Sequence, residues 1–221
     1  MTAPLQWVRM PERLTALLAG LACFLVVDQL RLLGSPLLSG LIRLETQYYF
    51  ALIALLLPGV FLIYRSRWAV LDAALGLGAF LAPLWLLHHA EAIANEGWEF
   101  LAPDHAVLAS SVLWLLVLEA VRRVTGWVLF GIALVFSMYP LFADVMPLMI
   151  SGMAIGFRET ASYHAMSIES IVGLPFRAFA NLVVGFLVFG ATLQHTGGGA
   201  FFIRLAFALL GGVRGGAAKV A

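Results

Sequence analysis

The feature that most constrains this chain is a series of apolar runs too long for a water-soluble domain of its size. A hydrocarbon layer about 30 Å thick takes roughly 20 helical residues at 1.5 Å rise each. Six segments approach that length, at residues 14–33, 47–64, 69–87, 105–121, 126–150 and 176–195, and residues 201–210 begin a seventh. Composition agrees. Of the 221 residues 62% are hydrophobic and only 11% charged, against about 25% charged in a typical soluble domain. Lipid cannot satisfy an open backbone, so a spanning segment is a helix or a strand of a closed barrel. Barrel strands alternate over about 10 residues, whereas these runs are continuously apolar. The expected fold is therefore all-α: a polytopic transmembrane helical bundle of six spans plus the start of a seventh. Pro58, Pro83, Pro140 and Pro147 lie in or near the spans and predict kinks.

Arg9 and Arg13 precede an apolar run that resembles a secretory signal, but the run continues through Cys23 and further spans follow, so an uncleaved first span is expected. Basic residues then fix orientation, because cytoplasmic loops are enriched in Lys and Arg. Arg9 and Arg13, the turn Tyr64-Arg65-Ser66-Arg67-Trp68, and Arg122 with Arg123 fall on alternate connections and so share one side. The connection at 88–104 has no Lys or Arg and carries Glu91, Glu96, Glu99 and Asp104. It is placed outside, with the N-terminus cytoplasmic. Arg31 and Arg43 dissent from this count, with Asp28 and Glu45 as expected partners. Residues 151–175 mix Arg158, Glu159, His164 and Glu169 with apolar residues, which predicts an external loop with an interfacial amphipathic helix. Trp98 and Trp127 near span ends suggest an aromatic belt.

Few residues suggest chemistry. Net charge is +1, which gives no electrostatic reason to expect a nucleic-acid partner. A single cysteine, Cys23, rules out an intrachain disulfide and reads as a small buried hydrophobe. His88, His89 and Glu91 form the most metal-like group, and His88 and Glu91 have the i, i+3 spacing of ligands on one helix face. No third ligand is evident, so no metal site is expected; an intramembrane enzyme built on these three residues is the rival that alanine replacement removes. Glu119 stands three and four residues before Arg122 and Arg123, a spacing for intrahelical ion pairs at the inner interface. Asp28 and Asp144 are the other acids inside spans; Asp28 has Arg31 at i+3, and Asp144 lies between two prolines near an outer end. Ser110 and Ser111 sit mid-helix, where packing or bonding back to the helix is usual. No Ser-His-acid set, phosphate loop or dinucleotide fingerprint occurs, so no catalytic residue and no cofactor is assigned.

The C-terminal stretch carries the most information. Phe186-Leu187-Val188-Phe189-Gly190-Ala191 leads to Thr196-Gly197-Gly198-Gly199, then to an apolar segment, then to Gly211-Gly212-Val213-Arg214-Gly215-Gly216 and Ala217-Ala218-Lys219-Val220-Ala221. Glycine-interrupted short apolar segments are a mark of discontinuous transporter helices. With Glu119-Ala120-Val121-Arg122-Arg123-Val124-Thr125-Gly126-Trp127 and Gly173-Leu174-Pro175, the ordered set resembles the fused permease subunits of TRAP (tripartite ATP-independent periplasmic) transporters, over roughly residues 110–221. The first hundred residues match only in hydropathy.

The resemblance implies a bacterial inner-membrane permease in which a small helical domain scaffolds a large transport domain. Here residues 1–150 correspond to the small-subunit-like domain of four to five helices, and 151–221 to the beginning of the large one. Such permeases take up an organic anion, commonly a carboxylate, from an extracytoplasmic solute-binding protein, of the TAXI type in many fused forms. A sodium or proton gradient drives an elevator-like movement. Substrate and cation sites lie in later hairpins that follow the Gly-Gly-x-Ala-Lys-Val-Ala segment, so the chain is expected to be an N-terminal fragment without the transport site. The substrate-binding residues stay unknown, and Gly215, Gly216 and Lys219 match only the approach to the first hairpin. The acidic outer loop and residues 151–175 become candidate docking surfaces. The alternative is a non-transporting membrane scaffold or assembly subunit.

Overall fold

In the computed structural model, residues 5–30, 37–38, 40–147 and 149–210 are described, with side chains from residue 12 to 209. Among them the α-helices are α1 (Leu5–Gln29), α2 (Glu45–Ile63), α3 (Ala69–His88), α4 (Ala90–Glu96), α5 (Asp104–Thr125), α6 (Trp127–Met138), α7 (Phe157–Met166), α8 (Leu174–Ala178), α9 (Val184–His195) and α10 (Gly198–Leu210), and no strand occurs among the described residues. A π turn at Phe179–Val183 joins α8 to α9, making Leu174–His195 one apolar helix. That helix, α2 and α3 combine the length and apolarity needed to cross a membrane. At 25 and 22 residues, α1 and α5 have the length, with charged residues toward their ends.

Helices α1, α2, α3 and α5 pack as an antiparallel bundle around Val26, Phe50, Leu52, Leu86 and Leu113, all buried. Gln47, in the first turn of α2, bends back so that its Oε1 accepts the backbone N–H groups of Arg43 and Leu44, at 2.7 and 3.1 Å, fixing where that helix begins. Pro58 and Pro83 lie inside α2 and α3, and both helices run through them. Arg123 near the end of α5 meets Asp72 in the first turn of α3, while His105 at the start of α5 meets Trp85 near the end of α3. These contacts define two ends of the bundle about 30 Å apart, from a 20-residue helix at 1.5 Å per residue. One end gathers Arg65, Arg67, Arg122 and Arg123; the other gathers the acids of residues 91–104. Leu14 and Leu18 of α1 line a cavity with Leu62 and Ala73, so α1 starts at the basic end.

The fifth run differs from expectation. The helix expected over residues 126–150 stops at Met138 and gives way to 3-10 turns at Tyr139–Leu141 and Ala143–Val145. Pro140 removes a backbone donor and clashes with the preceding turn, and Asp144 is exposed on the second 3-10 turn. At the other end of α6, Gly126 takes φ 85°, a conformation open to glycine at little cost, and this separates α6 from α5. The seventh segment forms as α10, with Phe201, Phe202 and Ile203 exposed.

Candidate functional site

At the acidic end, residues 88–105 are organised around a stack of aromatic rings. The His89 Nδ1–H donates to the Trp85 carbonyl at 3.0 Å, and its ring stacks on the Trp85 indole with centroids 3.9 Å apart. Trp98 lies nearly parallel to both, at 5.8 Å from His89 and 6.4 Å from Trp85. His105 meets both indoles edge-on. Gly97, at φ 67°, ends α4 in the left-handed conformation and turns Trp98 inward. The stack buries apolar area from three elements, and ring pairs add about 0.5–1.5 kcal/mol each beyond that burial. Trp98 is therefore buried, not part of a lipid-facing belt, and its Nε1–H donates to Glu96 at 2.8 Å. Trp127 does have a belt residue's exposure, with the Arg122 guanidinium 4.9 Å from its ring.

The carboxylates project around this stack. Glu91 pairs with Arg43 at 3.8 Å, both more than half exposed, so the pair contributes little stability. It also corrects the expectation that Glu45 would answer Arg43; Glu45 instead accepts the Tyr49 hydroxyl at 3.4 Å. Asp104 pairs with Arg158 of α7 at 2.5 Å, and Phe100 meets Tyr163. The acidic loop and residues 151–175 thus form one continuous surface. Between them lies a cavity of about 260 Å³, lined by Leu101, Val107, Arg158, Glu159 and Ser162 among others.

The expected amphipathic helix is α7, and its buried face packs on α5 rather than standing apart. Thr160, Ala161, Ser162 and Ala165 are small enough for a close approach. His164 stacks on Trp114, donates Nε2–H to the Ser137 carbonyl at 2.8 Å and shares a hydrogen bond between Nδ1 and the Ser170 hydroxyl at 2.7 Å. Burial holds its pKa below the usual histidine value.

At the basic end the expected intrahelical pairs form and reach further than their spacing implied. Glu119 accepts two bonds from Arg122 and one from Arg123, at 2.7–2.8 Å. Arg123 also donates to Asp72 at 2.7 Å and to the Tyr64 carbonyl at 3.0 Å, and lies over the Phe61 ring. Asp72 in turn accepts the Ser66 N–H at 2.8 Å. One guanidinium therefore ties the end of α2, the turn after it and the start of α3 to α5. Its separation of 51 residues from Asp72 hides this link from any local pattern; the one signal is an acid in the first turn of a span that follows an arginine-rich turn.

The π turn marks the junction between the bundle and the Leu174–His195 helix. A π turn leaves a main-chain carbonyl outside the regular hydrogen-bond series. Here the buried Tyr48 hydroxyl donates to the Ala180 carbonyl at 2.8 Å. Asn181 Nδ2 donates to the Tyr49 hydroxyl at 3.1 Å, and Arg177 lies 5.5 Å from the Tyr49 ring. Replacing Tyr48 with phenylalanine removes this buried hydrogen bond and is expected to cost about 1 kcal/mol, read as a lower midpoint in thermal unfolding of the detergent-solubilised protein. An unchanged midpoint would mean the contact is dispensable.

Other residues singled out in the sequence fall as follows. Asp28 is fully buried and accepts the backbone N–H groups of Leu37 and Leu38, at 2.7 and 3.1 Å; Arg31, its expected partner, lies outside the described residues. Cys23 is part-exposed and lines an apolar groove between α1 and α9, a correction to its expected burial. Ser111 bonds back to the Val107 carbonyl at 2.8 Å, whereas the buried Ser110 hydroxyl has no partner among the described residues. His88, His89 and Glu91 do not converge: His89 is engaged by Trp85 and Glu91 by Arg43, and among the described residues no three His, Cys, Asp or Glu side chains are placed to hold a metal. Gly215, Gly216 and Lys219 lie outside the described residues.

Residues 112–221 match the family model described as the tripartite ATP-independent periplasmic transporter, DctM component. No curated protein and no solved structure matches the chain.

Proposed function

From the premise that residues 112–221 carry the pattern of the DctM component, we propose that this chain is part of the membrane permease of a TRAP transporter, not an enzyme. It lies in a bacterial inner membrane with the basic end cytoplasmic and the acidic end outside. The arginines at 65, 67, 122 and 123 against the carboxylates of 91–104 support that orientation, since cytoplasmic connections are the basic ones. Residues 1–150 form the scaffold and 151–221 begin the transport domain. Uptake of an organic anion, a carboxylate in the commonest form, is driven by sodium or protons and fed by an extracytoplasmic binding protein of the TAXI type.

The observation that carries the reading is the pairing of the family match with a continuous outer surface made by residues 88–104 and α7. A charged, exposed rim suits a partner that docks and leaves, because charge steers encounter without demanding large buried area. The double charge reversal Glu96→Lys with Glu99→Lys, in the complete permease with its binding protein, is expected to lower uptake about tenfold at low ionic strength. Uptake unchanged by both reversals would remove this surface as the docking site.

A further inference from the structure

Toward its basic end the bundle leaves an apolar groove of about 420 Å³ between α1 and the pair α2 and α3. Leu14 and Leu18 of α1 form one wall; Leu62 of α2 with Ala73, Leu77 and Phe80 of α3 form the other. Gly76, buried in the lining, has no side chain to fill the space. Every lining residue is apolar. From Ala73 to Phe80 the groove follows α3 for about 10 Å, at 1.5 Å per residue. Both α2 and α3 have the length and apolarity to cross a membrane, so the groove lies at hydrocarbon depth. Water finds no hydrogen-bond partner on such walls, and an unfilled recess forfeits dispersion contacts. An acyl chain answers both. Three exposed arginines stand at the same end: Arg13 one residue before Leu14, Arg65 three after Leu62, and Arg67 six before Ala73. None of the three has an ion pair among the described residues. Asp72 and Glu119 are held by Arg122 and Arg123, which leaves Glu12 beside Arg13. Among the described side chains, five arginines against three carboxylates leave this end of α1, α3, α5 and the turn at 64–68 two charges positive. Orientation accounts for basic residues in a cytoplasmic turn; it does not account for an apolar recess beside them.

We propose that this groove is a binding site for an anionic phospholipid, with one acyl chain along Leu14, Leu62 and Leu77 and the headgroup phosphate at Arg65 and Arg67. The site goes beyond the transport reading and depends only on the bundle lying in a bilayer. Arginine presents a planar fork of donors that matches phosphate oxygens. Its stem lies along apolar surface while its head stays in the polar layer. The exposed Trp68, with the Arg67 guanidinium 5.8 Å from its ring, has the amphipathic ring that belongs at that layer. Arginines beside a membrane span attract anionic lipids. A zwitterionic headgroup offers the same phosphate but carries a cation with it, so it gains less from the two guanidiniums. The apolar walls therefore hold a lipid chain, and the arginines select which headgroup comes with it. A lipid seated there touches α1, α2 and α3 together.

The test uses the full chain in non-ionic detergent, titrated with dioleoyl phosphatidylglycerol or dioleoyl phosphatidylcholine. Native mass spectrometry reads the lipid bound to each protein molecule. Phosphatidylglycerol is expected to bind about tenfold more tightly than phosphatidylcholine, since each arginine near an anionic headgroup is worth a few-fold in affinity. In Arg65→Gln with Arg67→Gln, both exposed and outside the Arg123 clamp, that preference falls to about twofold or less. Ala73→Phe fills the groove from an exposed position and is expected to weaken phosphatidylglycerol about tenfold with every arginine in place. Equal affinity of the parent for the two lipids overturns the proposal. So does a preference that survives the double arginine substitution, or phosphatidylglycerol binding untouched by Ala73→Phe. A lipid-free dimer that Ala73→Phe dissociates would give the groove to a second copy of the chain, and overturns it equally.

Discussion

Replacing Arg123 with alanine is expected to lower the stability of the detergent-solubilised protein by about 3 kcal/mol, while Arg122→Ala costs under about 1 kcal/mol. The two arginines are adjacent and share Glu119, so the contrast isolates what each touches. The Arg123 side chain is 5% exposed and its partner Asp72 6%, against 28% for Arg122. Breaking a buried pair from one side leaves the other charge without compensation, at 3–5 kcal/mol. The cluster lies close to the bundle's end, which places the expectation at the lower bound. Loss of Arg123 also frees the Tyr64 carbonyl and the Asp72 carboxylate that order the turn between α2 and α3. Trypsin is therefore expected to cut after Arg65 and Arg67 faster in Arg123→Ala than in Arg122→Ala. Equal stability and equal cleavage in the two variants would dissolve the clamp.

Asp28→Ala is expected to cost about 2–3 kcal/mol, since hydrogen bonds to a charged group contribute about 1.5–3 kcal/mol each and removing a buried charge returns part of that. Asp28 stands at the C-terminal end of α1, where the helix dipole disfavours a carboxylate. The N–H groups of Leu37 and Leu38 compensate, and so fix the chain as it leaves α1 for α2. Asp28→Asn retains a carbonyl acceptor and is expected to lose about half as much. Thermal unfolding in detergent reads both, and a parent-like midpoint for the alanine variant would show that the carboxylate anchors nothing.

The helical class and the helices at 45–63, 69–88, 104–125 and 174–195 are legible from continuous apolarity, because a lipid solvent leaves the backbone few alternatives. The Glu119–Arg122–Arg123 grouping is legible too, because i+3 and i+4 spacing is a local rule. Contacts made across elements are not. Asp72 joins Arg123 over 51 residues, and Arg43 takes Glu91 rather than the nearby Glu45. Trp98 reads as a belt residue because composition places it near a span end; the rings that bury it come from α3 and α5. The early end of α6 was visible in Pro140 but outweighed by apolarity on either side. The π turn at Phe179–Val183 has no sequence signature beyond a polar Asn181 in an apolar span, and the Tyr48 hydroxyl that bonds the Ala180 carbonyl lies 132 residues away. The outer surface was visible as two separate charged segments, and their continuity depends on Arg158 reaching Asp104.

We propose that the bundle crosses a membrane with its acidic rim outside and its arginine clamp inside. In a Cys23→Ser background, Glu96→Cys and Arg65→Cys each carry one thiol, exposed in turn to a membrane-impermeant maleimide in intact spheroplasts. Glu96→Cys is expected to be labelled from outside, and Arg65→Cys to react only after the membrane is permeabilised. Labelling of Arg65→Cys from outside, with Glu96→Cys protected, would contradict it.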